Sequence, residues 1–300
     1  MTVDTYRQEA ARAFAAAISA AGLVVVLSGV AIWAGDTGLR QLAVTVAHAC
    51  KRQWAVLPLA LQVGLVASVA GGLLAAGFWV GTVVRQWRRT GAAERSVARR
   101  AVAPPPRFSQ LLERHALADR VILIDDRRPI AFSIGLASPR IVLSTALLTL
   151  LEEDELEAVL LHEQSHLRHQ DPARLLVTRT LGTAFFFIPV LKVLAKRHEA
   201  AVELAADDDV IAAQGQTLSL ASAVVKLLGP NRPAAAGAFM AGADLRLLRL
   251  LGEQVRLPAV PQRLKAGSGT ALALMSLPVV AVYGLAETLP RLPFLLRCTL

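Results

Sequence analysis

The stretch His162-Glu163-Gln164-Ser165-His166 sets two histidines four residues apart with a glutamate beside the first. On a helix, residues four apart stand one above the other, so His162 and His166 can offer two imidazole nitrogens to one metal ion. Glu163 lies one step round, where it can reach a water on that ion without being a ligand itself. That is the arrangement of a zinc-dependent hydrolase, and it depends on a helix. The residues before it support one. Glu152, Glu153, Asp154 and Glu155 place negative charge in a first turn, where the helix dipole favours it. Leu156, Val159, Leu160 and Leu167 then recur at helical spacing. Asp171-Pro172 is the expected end, because a residue before proline avoids helical angles.

A catalytic zinc usually takes three protein ligands and keeps a fourth place for water. The third ligand should be a His, Asp or Glu on a later helix. Glu203 is the best placed, Glu199 is its rival, and Asp207, one turn beyond Glu203, can brace a ligand from behind. At least one of Asp207, Asp208 and Asp209 is expected on a solvated face. His169 reads as a surface or supporting histidine, since three ligands are already found. No oxyanion stabiliser is evident: Arg197 and His198 are near in sequence, but the tyrosines, Tyr6 and Tyr283, lie outside the region.

The elements that position these residues sit in an unusually apolar chain. Over 300 residues, hydrophobic residues make up 54% and charged ones 18%, with mean hydropathy +0.49. This predicts entry into a bilayer rather than an ordinary soluble domain. The net charge of +9 and pI near 10.5 do not indicate nucleic acid. Arg85, Arg88, Arg89, Arg95, Arg99, Arg100 and Arg107 cluster beside an apolar run and lack interleaved aromatics, so no direct nucleic-acid binding is expected. With only Cys50 and Cys298, neither a disulfide framework nor a cysteine zinc site is available, although one bridge between them is conceivable.

Taken in order, residues 1–90 read as an N-terminal membrane domain with two spans, at about 13–34 and 54–84. The arginine cluster marks the cytoplasmic side. Residues 91–265 read as the catalytic domain, entered through Pro104-Pro105-Pro106. Within it, a helix over 108–118 precedes strands at 121–124, 130–135 and 140–143. A short helix at 145–151 capped by Ser144 and a helical stretch over 210–228 follow. Residues 229–243, rich in Gly, Pro and Ala, read as a loop. Residues 266–300 read as a last span and short tail. The apolar segment near 180–191 should dip into the bilayer without crossing. Too few residues separate Asp171 from Glu203 for two crossings, and one crossing would part Glu203 from the histidines.

Residues from about Phe108 to Ala223 resemble the M56 family of membrane metallopeptidases, which includes the beta-lactam-sensing receptors of bacteria. The resemblance rests on Pro139-Arg140-Ile141-Val142-Leu143-Ser144, Asp154-Glu155-Leu156-Glu157-Ala158-Val159-Leu160 and His162 to Asp171. The Phe-rich segment ending at Pro189, followed by Glu203-x-x-Ala206-Asp207, completes it. The family implies a gluzincin site with His162, His166 and Glu203 on Zn2+ and Glu163 as base. Many members carry Cys where Ala206 stands, and the receptors carry a sensor domain after their last span that residues 287–300 are too short to supply, so the beta-lactam role is not expected to transfer. The M48 membrane proteases share both motifs and are the near alternative.

The resulting expectation is a mostly α multi-pass membrane protein carrying an α+β zincin domain with a small β-sheet. It would hydrolyse peptide bonds at the cytoplasmic membrane face, with a peptide or protein substrate such as a transcriptional repressor or signalling protein. Two other readings compete: M48-like quality control of membrane proteins, and a non-catalytic scaffold with structural zinc. The intact Glu163 argues against the scaffold, since a structural site needs no base. Oligomeric state leaves no sequence signal.

Overall fold

The computed structural model describes residues 5–22, 77–228 except 79, 83, 86, 87, 89, 90, 136 and 137, 237–257 and 259–271. Helix α1 covers 5–22 and α2 covers 91–99. There follow β1 (Ala101–Val102), α3 (Pro106–Arg114), β2 (Val121–Ile124), β3 (Ala131–Ile134), β4 (Arg140–Ser144) and α4 (Thr145–Leu150). The metal-motif helix α5 (Glu153–Arg168) leads to α6 (Asp171–Ala184), α7 (Pro189–Gln214), α8 (Leu218–Leu228) and α9 (Gly237–Leu250), with α10 over 262–271.

The sheet has the order β1-β2-β4-β3. β2 and β4 are parallel, whereas β1 and β3 pair antiparallel with β2 and β4 respectively. Alternate side chains of the two central strands serve two cores, as a period of two requires. Leu123, Ile141 and Leu143 pack with Phe108, Leu147, Leu156 and Leu160 on the α5 side. Ile124 and Val142 pack with Val97 of α2 on the other. Gly135 ends β3 at φ +97, where a Cβ would stand 2.8 Å from the Ser138 carbonyl oxygen, so only glycine fits the turn.

Helix α5 lies between the sheet and α8. Leu156, Val159, Leu160 and Leu167 face the sheet-side core, and Ala158 faces Leu220 and Val224 of α8. Its start is tied by the Glu155 carboxylate, which accepts from the backbone N–H of Glu152 (2.9 Å), from Lys226 Nζ (2.7 Å) and from Ser222 Oγ. α5 ends at Arg168 rather than at Asp171. Gln170 takes a left-handed conformation (φ 55) and Asp171-Pro172 opens α6 instead, since proline suits the first turn of a helix. Pro189 does the same for α7. α6 and α7 thus form a hairpin that returns the chain to α5.

The expectation of a multi-pass membrane protein is overturned for the described residues. They form a mostly helical unit with a small sheet, and among them no helix is long and apolar enough to cross a membrane. The 13–34 run begins inside α1, whose uncharged face is a stripe of small side chains buried against protein. Ala10 packs with Ala201 and Val202, and Ala17 packs with Ile188 and Leu191. The rest of that run, most of 54–84, most of 266–286, and both cysteines lie outside the described residues.

Smaller expectations also change. β1 adds a strand that its two residues could not signal. Ser144 does not cap α4 with its side chain; its Oγ accepts from the Ile130 N–H at 2.9 Å. The 210–228 stretch is broken by Gly215 at φ 69, and helix α9 begins at Gly237, inside the expected loop.

Candidate metal centre

His162 and His166, one turn apart on α5, meet Glu203 of α7 at the inner end of a cleft of about 600 Å³. One donor atom from each of the three lies within 4.8 Å of the others. The two Nε2 atoms are 3.1 Å apart, and the Glu203 oxygens stand 3.4 Å from His162 Nε2 and 3.7 Å from His166 Nε2. Glu199 is not in this group; it accepts from Arg179 at 2.7 Å. His169 is also apart, bonded through Nδ1 to the Ser165 carbonyl at 2.9 Å.

Behind each histidine is a carboxylate. His162 Nδ1 is 3.0 Å from Asp207 Oδ1, and His166 Nδ1 is 3.1 Å from Asp171 Oδ2. An ionised carboxylate only accepts, so both Nδ1 atoms carry hydrogen and both Nε2 atoms present lone pairs. Two lone pairs facing each other at 3.1 Å repel unless a cation or a proton lies between them. Two neutral imidazoles and one carboxylate are also the donor set that suits zinc. The residues therefore fit the ion the family implies.

Without an ion, the carboxylates around His162 favour its protonated form. Burial and the Arg246 charge work against a cationic His162, but hydrogen bonding to Asp207 and Glu203 outweighs them and pushes its pKa up to about 9. Glu203 and Asp207 are held below the usual carboxylate range despite burial. For Glu203 the opposing influences are the His162 hydrogen bond and Arg246; for Asp207 Arg246 acts first.

Arg246 of α9 ties this side together. Its Nε and Nη2 donate to Asp207 Oδ2 (2.8 Å) and Oδ1 (2.7 Å), and Nη1 donates to Glu203 Oε2 (3.1 Å). Asp207 is fully buried, so the two-pronged pairing supplies the counter-charge its burial requires. Sequence reasoning missed Arg246, because nothing local in Leu245-Arg246-Leu247 separates it from any amphipathic-helix arginine. Asp171, read only as a helix end, was missed as a histidine partner; its place five residues after His166 was the available signal.

Glu163 points into the cleft without belonging to the three-residue group. Ser133 Oγ of β3 donates to Glu163 Oε2 at 2.7 Å and holds it there. Of the acidic run, Asp208 is buried and accepts from Arg249 at 3.0 Å, and Asp209 is the half-exposed member. Arg197 and His198 face α1, through Glu9 (2.6 Å) and the Ala10 carbonyl (3.0 Å), away from the cleft.

The family model described as BlaR1 peptidase M56 matches residues 44–241. A protease HtpX homolog of Acidiphilium cryptum is 37% identical over 100 residues, covering 32% of this chain and 30% of the relative. A protease HtpX homolog of Thermoplasma acidophilum is 43% identical over 61 residues, covering 20% of this chain and 19% of the relative. The chain thus spans less than a third of the length of these curated relatives. The family match covers well over half of the chain and contains both histidines, Glu163 and Glu203, so the chain belongs to the M56 peptidase family.

Proposed function

We propose that the protein is a zinc-dependent endopeptidase whose ion is held by His162, His166 and Glu203. The observation that carries this reading is the pair of Nε2 atoms 3.1 Å apart beside the Glu203 carboxylate, each histidine backed by a carboxylate at Nδ1. A zinc ion held there would supply Lewis acidity to a water molecule and to the scissile carbonyl. Glu163 takes the proton from the attacking water and delivers it to the leaving amine. The Ser133 hydrogen bond orients that carboxylate beforehand, which a purely structural zinc site would not need. Asp207 and Asp171 keep each histidine's Nε2 free of hydrogen by holding the hydrogen on Nδ1.

The substrate is an extended peptide. β3 is the outer strand of the sheet on the cleft side, so its free edge can pair with a peptide main chain beside Glu163. Val159, Leu220, Val224 and Leu227 form an apolar wall of the cleft and favour an apolar side chain near the cleaved bond. The role we assign is regulated proteolysis of a repressor or signalling protein at the cytoplasmic membrane face. Two features support association with a membrane surface: the arginine cluster at 85–107, and an exposed apolar patch where Phe78 packs edge-on against Phe186.

Glu163→Gln tests the chemistry. Proteolysis of a peptide library should be abolished while one zinc per chain remains, because Glu163 is the base and not a ligand. Cleavage at the wild-type rate would end the enzyme reading.

A further inference from the structure

The geometry points to Arg7 of α1 as a positioning residue for the metal centre, acting through Asp171 on His166. This rests on the zinc reading above and adds a component from outside the family match, which begins at residue 44.

Arg7 reaches the rear of the centre from the N-terminal helix. Its Nη1 donates to Asp171 Oδ2 at 3.0 Å, the same oxygen that accepts from His166 Nδ1 at 3.1 Å. Its Nη2 donates to Ser165 Oγ and, at 3.0 Å, to Asp209 Oδ2. One guanidinium therefore joins α5, the first residue of α6, and α7. Ser165 precedes His166 on α5, and Asp209 lies on the same helix as Glu203. The group that fixes the Asp171 carboxylate also fixes the separation of the two ligand-bearing helices.

Charge makes the contact matter. Asp171 is 1% exposed and faces a histidine that must stay neutral to bind metal. A carboxylate buried beside a neutral imidazole needs another counter-charge, and among the described residues Arg7 forms its ion pair with a permanent cation. Without it, the carboxylate would turn toward water. That change releases His166 Nδ1 and frees the ring to rotate.

α1 is held on this surface by other contacts as well. Tyr6 donates to the Val255 carbonyl at 2.7 Å, and Glu9 accepts from Arg197 at 2.6 Å. This allows the local role of Arg7 to be separated from docking of the helix. In the full-length chain, zinc affinity is measured by chelator competition, and the environment of the site by the visible spectrum of the cobalt(II)-substituted protein. Arg7→Met keeps the apolar stem and removes the fork. Its zinc dissociation constant should rise about tenfold, with a shifted cobalt band, as loss of a group behind a ligand commonly produces. Glu9→Gln weakens the same helix at a site remote from the metal and should leave both readouts at wild-type values. Asp171→Asn should weaken zinc at least as much as Arg7→Met, and the double variant should be no worse than Asp171→Asn alone. Should Arg7→Met fail to fold, Arg7→Lys keeps the charge but cannot reach all three acceptors, and should show a smaller loss of the same kind.

Wild-type zinc affinity in the Arg7 variants would overturn the proposal, as would equal weakening by Glu9→Gln or additive effects of Arg7 and Asp171. These outcomes leave the zinc reading intact. A wild-type chain that binds no zinc would sink both.

Discussion

The two histidines proposed as zinc ligands sit one turn apart on the same helix, yet they are braced unequally. Behind His162 stand Asp207, fully buried, and Arg246, which holds both carboxylate oxygens and also touches Glu203. Behind His166 stands Asp171, whose Oδ2 is shared between the histidine and a single nitrogen of Arg7, while the rest of that guanidinium serves Ser165 and Asp209. The first brace is a dedicated two-pronged pair and the second is a shared one. The difference shows that the spacing of a metal motif does not determine how rigidly each ligand is held. The packing of helices distant in sequence does.

This inequality can be broken most sharply at Arg246. Arg246→Leu leaves the buried Asp207 and the partly buried Glu203 without their guanidinium, and should destabilise the fold by about 3–5 kcal/mol in urea titration. Zinc affinity should fall about a hundredfold, more than for Arg7→Met. Equal losses in the two variants would show that the braces are equivalent and the comparison mistaken.

How much of this was legible in the sequence follows from where each signal lies. α5 could be read because its acidic first turn, its apolar period and its motif fall within one short stretch. The sheet strands β2, β3 and β4 could be read from short apolar runs between turns. Glu203 could be ranked first with Glu199 kept as its rival, since they share a helix and only tertiary packing decides which one faces α5. Arg7 and Arg246 were invisible, because each reaches the site from an opposite end of the chain and looks locally like any surface arginine. Within the apolar run at 13–34, only 13–22 are described, and there an alanine stripe seats α1 against α7. Such a stripe has the same lack of charge as a membrane-facing segment, and composition does not distinguish their partners.

A smaller effect sharpens the comparison through pH. A hydrogen bond from Arg197 holds Glu9 below the usual range, and Lys226 and Ser222 do the same for Glu155 against the effect of burial. A depressed carboxylate pKa contributes stability that is fully present above the unfolded value of about 4.5 and is lost as pH falls from there through the lower folded value. In the metal-free protein, stability should therefore decline on acidification below about pH 4.5. Glu9→Gln should flatten that decline by no more than about 1 kcal/mol, since the Glu9–Arg197 pair is partly exposed. Thermal melts at stepped pH would read this, and a variant with the wild-type slope would remove the Glu9 bridge from the account.

The central claim is that one metal is bound by two histidines of α5 and by Glu203 of α7. The most direct measurement is zinc stoichiometry and affinity in matched single variants, Glu203→Gln and Glu199→Gln, in the full-length chain. The account predicts that the wild type and Glu199→Gln each bind one zinc with the same affinity, and that Glu203→Gln binds at least a hundredfold more weakly. Full zinc binding by Glu203→Gln, with loss in Glu199→Gln, would contradict it.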